Sequence, residues 1–439
     1  MITNVEAQPS AEIEKRPSRL FNKNFFLLWQ GQTASQLGNQ AFSIALALWI
    51  KQATGSATLM GLILMVSSLP AVLLGPIGGT FADRFNRKRI IVISDLINGI
   101  AGLTLVGVMF MRPEATNLII VWLLVVSIVM ATVSTFFNPA ISASIPDIVP
   151  EEKLSAANGL GQFSYQVSIF IGQGLGGTLF RILGAPFLFL IDSLSYLFSA
   201  FSETFITIPQ KQPEKQKDWR DSLNQFKADT LSGFRYVWQT HGLRDLVLVA
   251  AMLNFFLVPI LILLPFYVED FLLVTEDWYG FLLAAYGLGS ILGFLLAGML
   301  PPSGILRSRL MILFLLLEPV GFILMGIFLN PWAALILATT GGLLSGFVMV
   351  NLTTLLQITT PGEIRGRVFG LLATISGALS PLAMGLSGVI ADLTGQNIPL
   401  IYIACGVISI VIVVVISIRP AFRKFLAYEG VKQNDESEK

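Results

Sequence analysis

Long apolar segments recur along the whole chain and are separated by short polar stretches. A helix needs about 20 predominantly apolar residues to cross the hydrocarbon core of a bilayer. Segments of roughly that length predict twelve membrane-spanning helices, with the bounds 25–50, 57–82, 90–111, 117–138, 156–180, 186–208, 246–268, 278–300, 310–329, 331–355, 367–391 and 398–418.

The longest polar interruption lies between the sixth and seventh spans and divides the chain into two halves. The predicted organisation is a 1–24 amino-terminal segment, a 25–208 six-helix bundle, a 209–245 linker, a 246–418 six-helix bundle and a 419–439 tail. In the linker, apolar residues recur at helical spacing over 219–238, which is typical of an amphipathic helix at the membrane surface. The predicted fold class is an all-α membrane protein with two pseudo-symmetric six-helix bundles.

Basic residues are distributed very unevenly between alternate loops. Of 28 Lys and Arg residues, 25 fall on the side that holds both termini and the linker, and only Lys51, Arg112 and Arg181 fall on the other. Cytoplasmic loops carry the excess of basic residues. The pattern therefore predicts a multi-pass protein of the plasma (inner) membrane with both termini in the cytoplasm.

The composition agrees with a membrane location and narrows the possible functions. Hydrophobic residues make up 54% of the chain and charged residues 13%, against about 25% charged in soluble domains. The net charge of +1 gives no reason to expect nucleic-acid binding. No nucleotide loop, metal cluster or nucleophile–base set is visible in the sequence, so we expect no enzyme activity, no cofactor and no metal. The expected partners are the lipid bilayer and a small-molecule substrate, and the expected state is a monomer.

The two halves show traces of an internal repeat. With an offset of 219 residues, Gly61 aligns with Gly280, Gly79 with Gly298, and Lys88 with Arg307. Duplicated halves around a central cavity are a common plan among secondary transporters.

The first span carries an unusual stripe of amides. At 100° per residue, one arc of the helix collects Trp29, Gln32, Gln36, Asn39, Gln40 and Ser43. Amides grouped on one face point to protein or water and not to lipid. Two interpretations remain open, that the amides line a substrate cavity and that they hydrogen-bond to neighbouring helices. Gln36 lies at the centre of the arc near the membrane midplane, and we predict that it contacts the substrate.

The sequence GGTFADRFNRKR at 78–89 resembles the cytoplasmic loop motif of the major facilitator superfamily. The matching residues are Gly79, Asp83, Arg84, Arg87 and Lys88, while Asn86 replaces a glycine and is expected to adopt its left-handed geometry. Asp83 follows a helix whose carboxyl end disfavours its charge. We therefore predict a latch between Asp83 and the start of span eleven, near Arg365 and Arg367. The alternative is that the basic residues only fix the topology.

A second segment resembles the antiporter motif of the same superfamily. The motif positions are occupied by Gly159, Gly172, Gln173, Gly176 and Gly177. Ser168 and Gln173 depart from it by replacing a glycine and the proline. Close packing of small residues between helices explains the same glycines without any antiport function.

Further segments resemble one branch of the superfamily, the macrolide-efflux and enterobactin-exporter branch of the drug:proton antiporters. They are SQLGNQAFSIAL, IPDIVPEEKLSAANGL, IDSLSYLFSAF and PGEIRGRVFG. The resemblance implies a central cavity lined by spans one, four, seven and ten. Besides the amide stripe, the candidate cavity residues are then Ser127, Ser134, Thr135, Asn254, Ser345, Met349 and Thr353.

Four acidic residues lie within the predicted spans, and carboxylates at this depth are functional by default. Glu318 and Asp95 are candidates for proton coupling, with a structural hydrogen bond as the competing interpretation. Asp192 and Glu203 lie nearer the helix ends and are interpreted as structural.

The resemblance implies secondary active export of a hydrophobic or amphipathic small molecule, drug-like or macrolide-like, by alternating access with proton antiport. One alternative is a transporter of the same fold for a siderophore, a lipid or a lysolipid. Another is a membrane scaffold or sensor that transports nothing, which would not need the latch and the amide stripe together.

Overall fold

Twelve long helices dominate the part of the chain that this computed structural model describes, residues 19–209, 228 and 231–428. The first six are α1 (Lys23–Thr54), α2 (Ala57–Arg84), α3 (Arg87–Met111), α4 (Thr116–Ile148), α5 (Leu154–Leu183) and α6 (Ala185–Thr204). The next six are α7 (His241–Ile262), α8 (Asp277–Met299), α9 (Gly304–Ile327), α10 (Pro331–Thr359), α11 (Gly362–Leu393) and α12 (Ile398–Ser417), followed by the short α13 (Pro420–Leu426). Each predicted span overlaps one of the twelve long helices, and the seventh span, predicted to end at residue 268, continues past the end of α7 at Ile262 into a π-helical turn.

Ten of these long helices are apolar enough by length and composition to cross a membrane on their own. The other two are α1 and α5, which carry the amide stripe and the run of glycines. Their polar groups have to be satisfied by neighbouring helices, because lipid offers no hydrogen bonds. Hydropathy alone therefore does not identify these two helices as membrane spans, although both pack within the first bundle.

Two local predictions from the sequence are wrong. The helix α4 continues past the predicted end at residue 138 to Ile148, although Pro139 and Pro146 lie inside it. Asn86 has φ −63° and not a left-handed conformation, and its side chain caps α3 by accepting a hydrogen bond from the Arg89 amide. The position therefore uses the capping ability of Asn and not its tolerance of positive φ.

The helices pack in two halves with the same internal pattern. In the first half α1 contacts α5 and α6, α2 contacts α4, and α3 contacts α4 and α6. The second half repeats these pairs, since α7 contacts α11 and α12, α8 contacts α10, and α9 contacts α10 and α12. The two bundles meet where α2 packs on α11 and α5 packs on α8. This pattern gives two pseudo-symmetric six-helix bundles and supports the internal repeat.

Among the residues that the structure describes, the apolar core is continuous between the bundles at one end of the molecule only. We call the two ends the Lys51 end, where α1 finishes, and the Arg84 end, where α2 finishes. At the Lys51 end one core cluster runs from Ile44 in the first bundle to Tyr267 and Tyr402 in the second. Toward the Arg84 end the core consists of two separate clusters, one in each bundle. The bundles are therefore joined at the Lys51 end and part toward the Arg84 end.

The predicted amphipathic helix of the linker falls mostly outside the described residues. Residues 231–239 are helical, and within them Phe234 stacks on Trp238 with ring centroids 5.0 Å apart. The rest of 210–230, apart from residue 228, lies outside the described part of the chain.

Candidate functional site

Most amides of the α1 stripe hydrogen-bond to neighbouring helices. Gln32 Nε2 donates to Glu203 Oε1 of α6 at 2.8 Å, and Asn39 Nδ2 donates to the Tyr196 hydroxyl of α6 at 2.9 Å. On the other flank, Gln40 Oε1 accepts from Gln173 Nε2 of α5 at 3.0 Å. These bonds tie α1 to both of its neighbours within the first bundle.

Other stripe residues differ in their hydrogen bonding. Trp29 Nε1 donates to Ser164 Oγ of α5 at 2.8 Å, and Ser43 Oγ donates to the Asn39 carbonyl of its own helix at 2.9 Å. Gln36 Oε1, at the centre of the arc, is buried and has no hydrogen-bond partner. Contact between Gln36 and a substrate stays a prediction, because the unpaired oxygen has almost no accessible surface in this conformation.

The other predicted cavity residues are scattered along α4, α7 and α10. Asn254 Oδ1 accepts from Ser380 Oγ of α11 at 3.3 Å, and Met349 is 56% exposed. Thr135 and Thr353 each donate to a carbonyl of their own helix, Ser127 is buried, and Ser134 is half-buried. Ser345 lies beside Glu318 and Tyr286. Their common role in one cavity stays a prediction.

A cluster of buried carboxyl groups lies behind α1. Asp95 of α3 and Asp192 and Glu203 of α6 are at most 1% exposed. Asp95 lies beside Glu203 and Ser199, and no oxygen of Asp95 or Asp192 meets hydrogen-bond geometry with a protein partner. The structure therefore brings one predicted proton-coupling candidate, Asp95, together with two residues interpreted as structural.

Ion pairs cross between the bundles at the Lys51 end. Lys51 Nζ of α1 lies 2.7 Å from Glu269 Oε2 and 3.0 Å from Asp270 Oδ1 in the π-helical turn that follows α7. Nearby, Arg181 Nε of α5 lies 3.1 Å from Asp277 Oδ2 of α8. We call the Lys51, Glu269 and Asp270 group the Lys51 clamp. It holds the first bundle against the second through side chains of opposite charge.

The Lys51 clamp costs desolvation, because Lys51 is only 7% exposed. Burial raises the pKa of Glu269 above its ordinary value, while the hydrogen bond and charge of Lys51 act in the opposite direction. Burial outweighs the attraction at Glu269, as expected for a pair held away from water. The desolvation cost of the Lys51 clamp opposes the attraction between its charges. The clamp can therefore hold this end closed and still allow it to open.

A second inter-bundle contact caps the start of α2. Asp392 of α11 accepts hydrogen bonds from Ser56 Oγ at 2.9 Å, the Thr58 amide at 2.9 Å and the Ala57 amide at 3.2 Å. Helix amino-termini favour negative charge because their first amides are unpaired and the helix dipole is positive there. The second bundle thus supplies the carboxylate cap for a helix of the first.

Glycines let the backbones of the two bundles touch at the Lys51 end. A Cβ on Gly61 of α2 would lie 2.5 Å from the Met384 carbonyl of α11, and one on Gly177 of α5 would lie 2.5 Å from the Glu276 carbonyl. Gly280 of α8 has equally little room against Gln173 of α5. The repeat-related pair of Gly61 and Gly280 therefore occupies equivalent places in the two inter-bundle contacts.

The antiporter-like motif lies on the same surfaces. Gly172 packs on Gln40 and Gly176 on Ile44 of α1, while Gly177 packs against the start of α8. At Gly159, one end of the motif, an added Cβ would meet no atom within 4 Å. The packing role of the motif is thus concentrated in the half of α5 near the Lys51 end.

At the Arg84 end the same helix pairs have open space. Gly79 of α2 and Gly366 and Gly370 of α11 have no atom within 4 Å of an added Cβ, and neither do Gly159 of α5 and Gly298 of α8. In both inter-bundle helix pairs, α2–α11 and α5–α8, the backbones touch through glycines at the Lys51 end. Toward the Arg84 end the helices of each pair are farther apart. Among the described residues, the two bundles are thus in close contact at the Lys51 end, and the facing glycines have open space toward the Arg84 end.

The predicted latch residues lie at this open end. Arg87 Nη1 pairs with Asp147 Oδ2 at 2.6 Å within the first bundle, Arg365 Nη2 donates to the Thr360 carbonyl at 3.4 Å, and Arg367 Nη1 donates to Ser232 Oγ at 3.2 Å. Arg84 and Lys88 lie at the end of α2 and the start of α3. The Asp83 side chain is outside the described part of the structure, so the latch stays a prediction.

Sequence reasoning did not identify the contacts at the Lys51 end. A signal was present, because Lys51 is one of only three cations on its side of the membrane. The loop between spans seven and eight also carries the four acids Glu269, Asp270, Glu276 and Asp277. What could not be read from the sequence is which cation meets which acid.

Several characterised proteins are similar to this chain over most of its length. Macrolide efflux protein A of Streptococcus pyogenes is 26% identical over 379 residues, covering 85% of this chain and 90% of that protein. The multidrug efflux pump Tap of Mycolicibacterium fortuitum is 26% identical over 372 residues, covering 82% and 87%.

Solved transporter structures share the fold. A bacterial homologue of the iron transporter ferroportin in an inward-facing state superposes with a TM-score of 0.70 at 15% identity, covering 90% of this chain and 99% of that one. An inward-facing, unoccupied bacterial homologue of the lysosomal transporter Spinster gives 0.66 at 18% identity, covering 92% and 96%. At these identities the likeness supports the fold alone.

The model of one family, described as transmembrane secretion effector, matches residues 17–436, nearly the whole chain. Together with the two six-helix bundles and the efflux relatives, this match places the chain in a known group. The protein belongs to the transmembrane secretion effector family of the major facilitator superfamily, and it is an efflux-type membrane transporter and not an enzyme.

Proposed function

We propose that the protein exports a hydrophobic or amphipathic small molecule, of the drug or macrolide class, by alternating access. The observation that carries this proposal is the asymmetry between the two ends, with bundles clamped at the Lys51 end and separated at the Arg84 end. Rocking of the bundles about a central site would exchange these two arrangements. The names of the relatives, a macrolide efflux protein and a multidrug efflux pump, support the substrate class.

The Lys51 end faces the outside in this proposal, and the Arg84 end and both termini face the cytoplasm. The distribution of basic residues supports this orientation, because 25 of the 28 Lys and Arg residues lie on the side that holds the termini. The described conformation is then open to the cytoplasm, ready to receive a molecule for export. Gln36, with its unpaired oxygen, is the amide through which α1 would contact that molecule.

Export is coupled to proton entry in this proposal, and Asp95 is the carboxyl group that carries the proton. Two carboxyl groups in contact and away from water cannot both be charged without strong repulsion, and Asp95 lies beside Glu203. Glu203 is in turn bonded to Gln32 on the stripe of α1. A proton gained or lost at this pair would change the hydrogen bonding of a helix that lines the cavity.

Transport by the purified protein in proteoliposomes tests this function. With an acidic lumen and a neutral outside, we expect a radiolabelled macrolide to accumulate in the lumen in exchange for protons, and a protonophore to abolish the accumulation. Protein-free liposomes under the same gradient are the essential control, because a weakly basic molecule enters an acidic lumen without any protein.

The Asp95→Asn variant separates coupling from transport. It keeps the shape of the side chain and removes the titratable group, so we expect downhill macrolide movement to persist and gradient-driven accumulation to fall to the downhill level. Accumulation by the wild-type protein no greater than in protein-free liposomes would refute the proposed export. Unchanged gradient-driven accumulation by the variant would refute the role of Asp95.

A further inference from the structure

Three acidic residues meet one lysine where the bundles join at the Lys51 end. Lys51 Nζ of α1 lies 2.7 Å from Glu269 Oε2 and 3.0 Å from Asp270 Oδ1. Glu276 is close enough for its charge to act on Glu269, and its own Oε1 accepts only from the uncharged Gln52 amide at 3.0 Å. Three negative charges and one positive charge leave this group with a net charge of −2 when all are ionised.

The neighbouring elements bring no further cation to this group among the described residues. Helix α12 also packs on the π-helical turn that carries Glu269, and it contains no Lys or Arg. Arg181 of α5 is engaged with Asp277 of α8, with 3.1 Å between Nε and Oδ2. The excess of negative charge around Lys51 is therefore not cancelled by a second basic residue.

Glu269 is the acid beside Lys51 whose charge is least compensated. Its Oε2 faces Lys51, but its Oε1 is buried and has no hydrogen-bond partner among the described residues. Asp270 is about half exposed, so water can solvate its charge. Of the two acids in the Lys51 clamp, Glu269 is therefore the one that gains more from binding a proton.

Closure of the Lys51 end favours the protonated form of Glu269. Burial raises the pKa of Glu269, and the charges of Glu276 and Asp270 act in the same direction, against the attraction of Lys51. When this end opens, water reaches the carboxyl group and its pKa falls toward the ordinary value. The closed end thus binds the proton more tightly than the open end. Acid therefore favours closure, and this gain is lost as the pH rises through the raised pKa.

We propose that Glu269 is a proton-binding site that controls closure of the Lys51 end. It takes up a proton from external water on its Oε1 as this end closes and returns it there when the end reopens. Protonation leaves Lys51 and Asp270 as a neutral pair across the bundles. The proton is not carried across the membrane, in contrast to the one that we assign to Asp95. The inference rests on the proposed alternating access, with the Lys51 end facing outside.

A spin-label distance across the Lys51 end, measured against pH, tests the site without any substrate. The labels replace Glu114 and Leu329, one in each bundle, in a Cys405→Ala, Asp95→Asn parent protein, so that Asp95 does not titrate. We expect the ratio of short to long distances to rise about three- to tenfold from about pH 8 to about pH 5, since a pKa difference of about one unit between two states changes their ratio tenfold.

Glu269→Gln and Asp270→Asn in this parent are matched variants of the two acids beside Lys51. Glu269→Gln resembles the protonated form, so it should favour the short distance throughout and change less than about twofold with pH. Asp270→Asn removes a charge from the same clamp but leaves Glu269 titratable, so its ratio should still rise about threefold or more toward acid.

Three results would overturn the proposal. They are a parent distance that does not change with pH, a change in Glu269→Gln as large as in the parent, and loss of the change in both variants alike. The last result would mean that the proton belongs to no single acid of the clamp.

The outcomes also separate this inference from the export function. A protein whose Lys51 end closes in acid through Glu269, but which accumulates no macrolide in proteoliposomes, would refute export and leave the proton site standing. A protein that exports macrolides but keeps the same distance at every pH would refute the proton site and leave export standing.

Discussion

Leucine in place of Gly61 or Gly280 is expected to force the bundles apart at the Lys51 end and to stop transport. At Gly61 even a Cβ would lie 2.5 Å from a main-chain carbonyl of the opposite bundle. Backbone cannot move aside as a flexible side chain can, so the cost should reach the upper part of the usual ~1–3 kcal/mol for overpacking. A cost near 3 kcal/mol shifts the balance between the two arrangements by roughly a hundredfold.

Gly79→Leu and Gly298→Leu are the matched controls, since they lie on the same two helices near the Arg84 end. Nothing lies within 4 Å of an added Cβ there, so both variants should keep the described conformation. They should nevertheless transport poorly, because closing the Arg84 end would bring their leucines against the opposite bundle. The Gly61 and Gly280 variants are thus expected to stop transport with the Lys51 end open. The Gly79 and Gly298 variants should stop it with the Arg84 end open.

Spin-label distances distinguish the two cases. Labels at Glu114 and Leu329, which are exposed in loops of different bundles at the Lys51 end, would be attached in a Cys405→Ala background. We expect the distance to lengthen in Gly61→Leu and Gly280→Leu and to stay at its wild-type value in Gly79→Leu and Gly298→Leu. A wild-type distance together with wild-type transport in Gly61→Leu would contradict the account.

Loss of the Lys51 charge is expected to have the second largest effect. In Lys51→Met the side chain keeps its length, but Glu269 and Asp270 face each other's charge without a cation. Breaking a fully buried pair costs about 3–5 kcal/mol. Since Glu269 is 23% and Asp270 46% exposed, we expect about 2 kcal/mol, equivalent to roughly a thirtyfold loss of the closed Lys51 end.

The same spin-label pair measures this shift. The matched control is Arg112→Met, which removes an exposed cation at the same end. We expect a longer distance between the two labels in Lys51→Met and the wild-type distance in Arg112→Met. Lys51→Arg keeps the positive charge, so its distance should be close to that of the wild type. Equal distances in Lys51→Met and the wild type would mean that the clamp does not hold the bundles together.

The helices could be predicted from the sequence because lipid imposes a strong requirement on every spanning segment. The amide stripe on α1 was also visible, because helical periodicity places Gln32, Gln36 and Asn39 on one face. The partners of these amides were not, because nothing in the pattern says that Glu203 and Tyr196 of α6 face them. The packing of the bundle is therefore required to compare the two interpretations of the stripe, a substrate cavity and hydrogen bonds to neighbouring helices.

The closed end could not be predicted for a similar reason. Lys51 and Glu269 are 218 residues apart, and charges beside loops are usually solvated. Only the meeting of two bundles makes them neighbours. Asn86 illustrates the opposite limit, because the motif predicts a left-handed turn there while the side chain caps α3 in the structure.

Cross-linking of the Lys51 end during transport tests the central claim, export by alternating access, most directly. Gln52 Nε2 of α1 lies 3.0 Å from Glu276 Oε1 at the start of α8, so cysteines at these positions can be joined by a short bifunctional thiol reagent without touching the clamp. With this end locked, we predict that macrolide accumulation in proteoliposomes stops and returns when the link is cleaved, while either single cysteine treated alike transports normally. Undiminished transport by the locked protein would contradict the account, because the substrate would then cross without the Lys51 end ever opening.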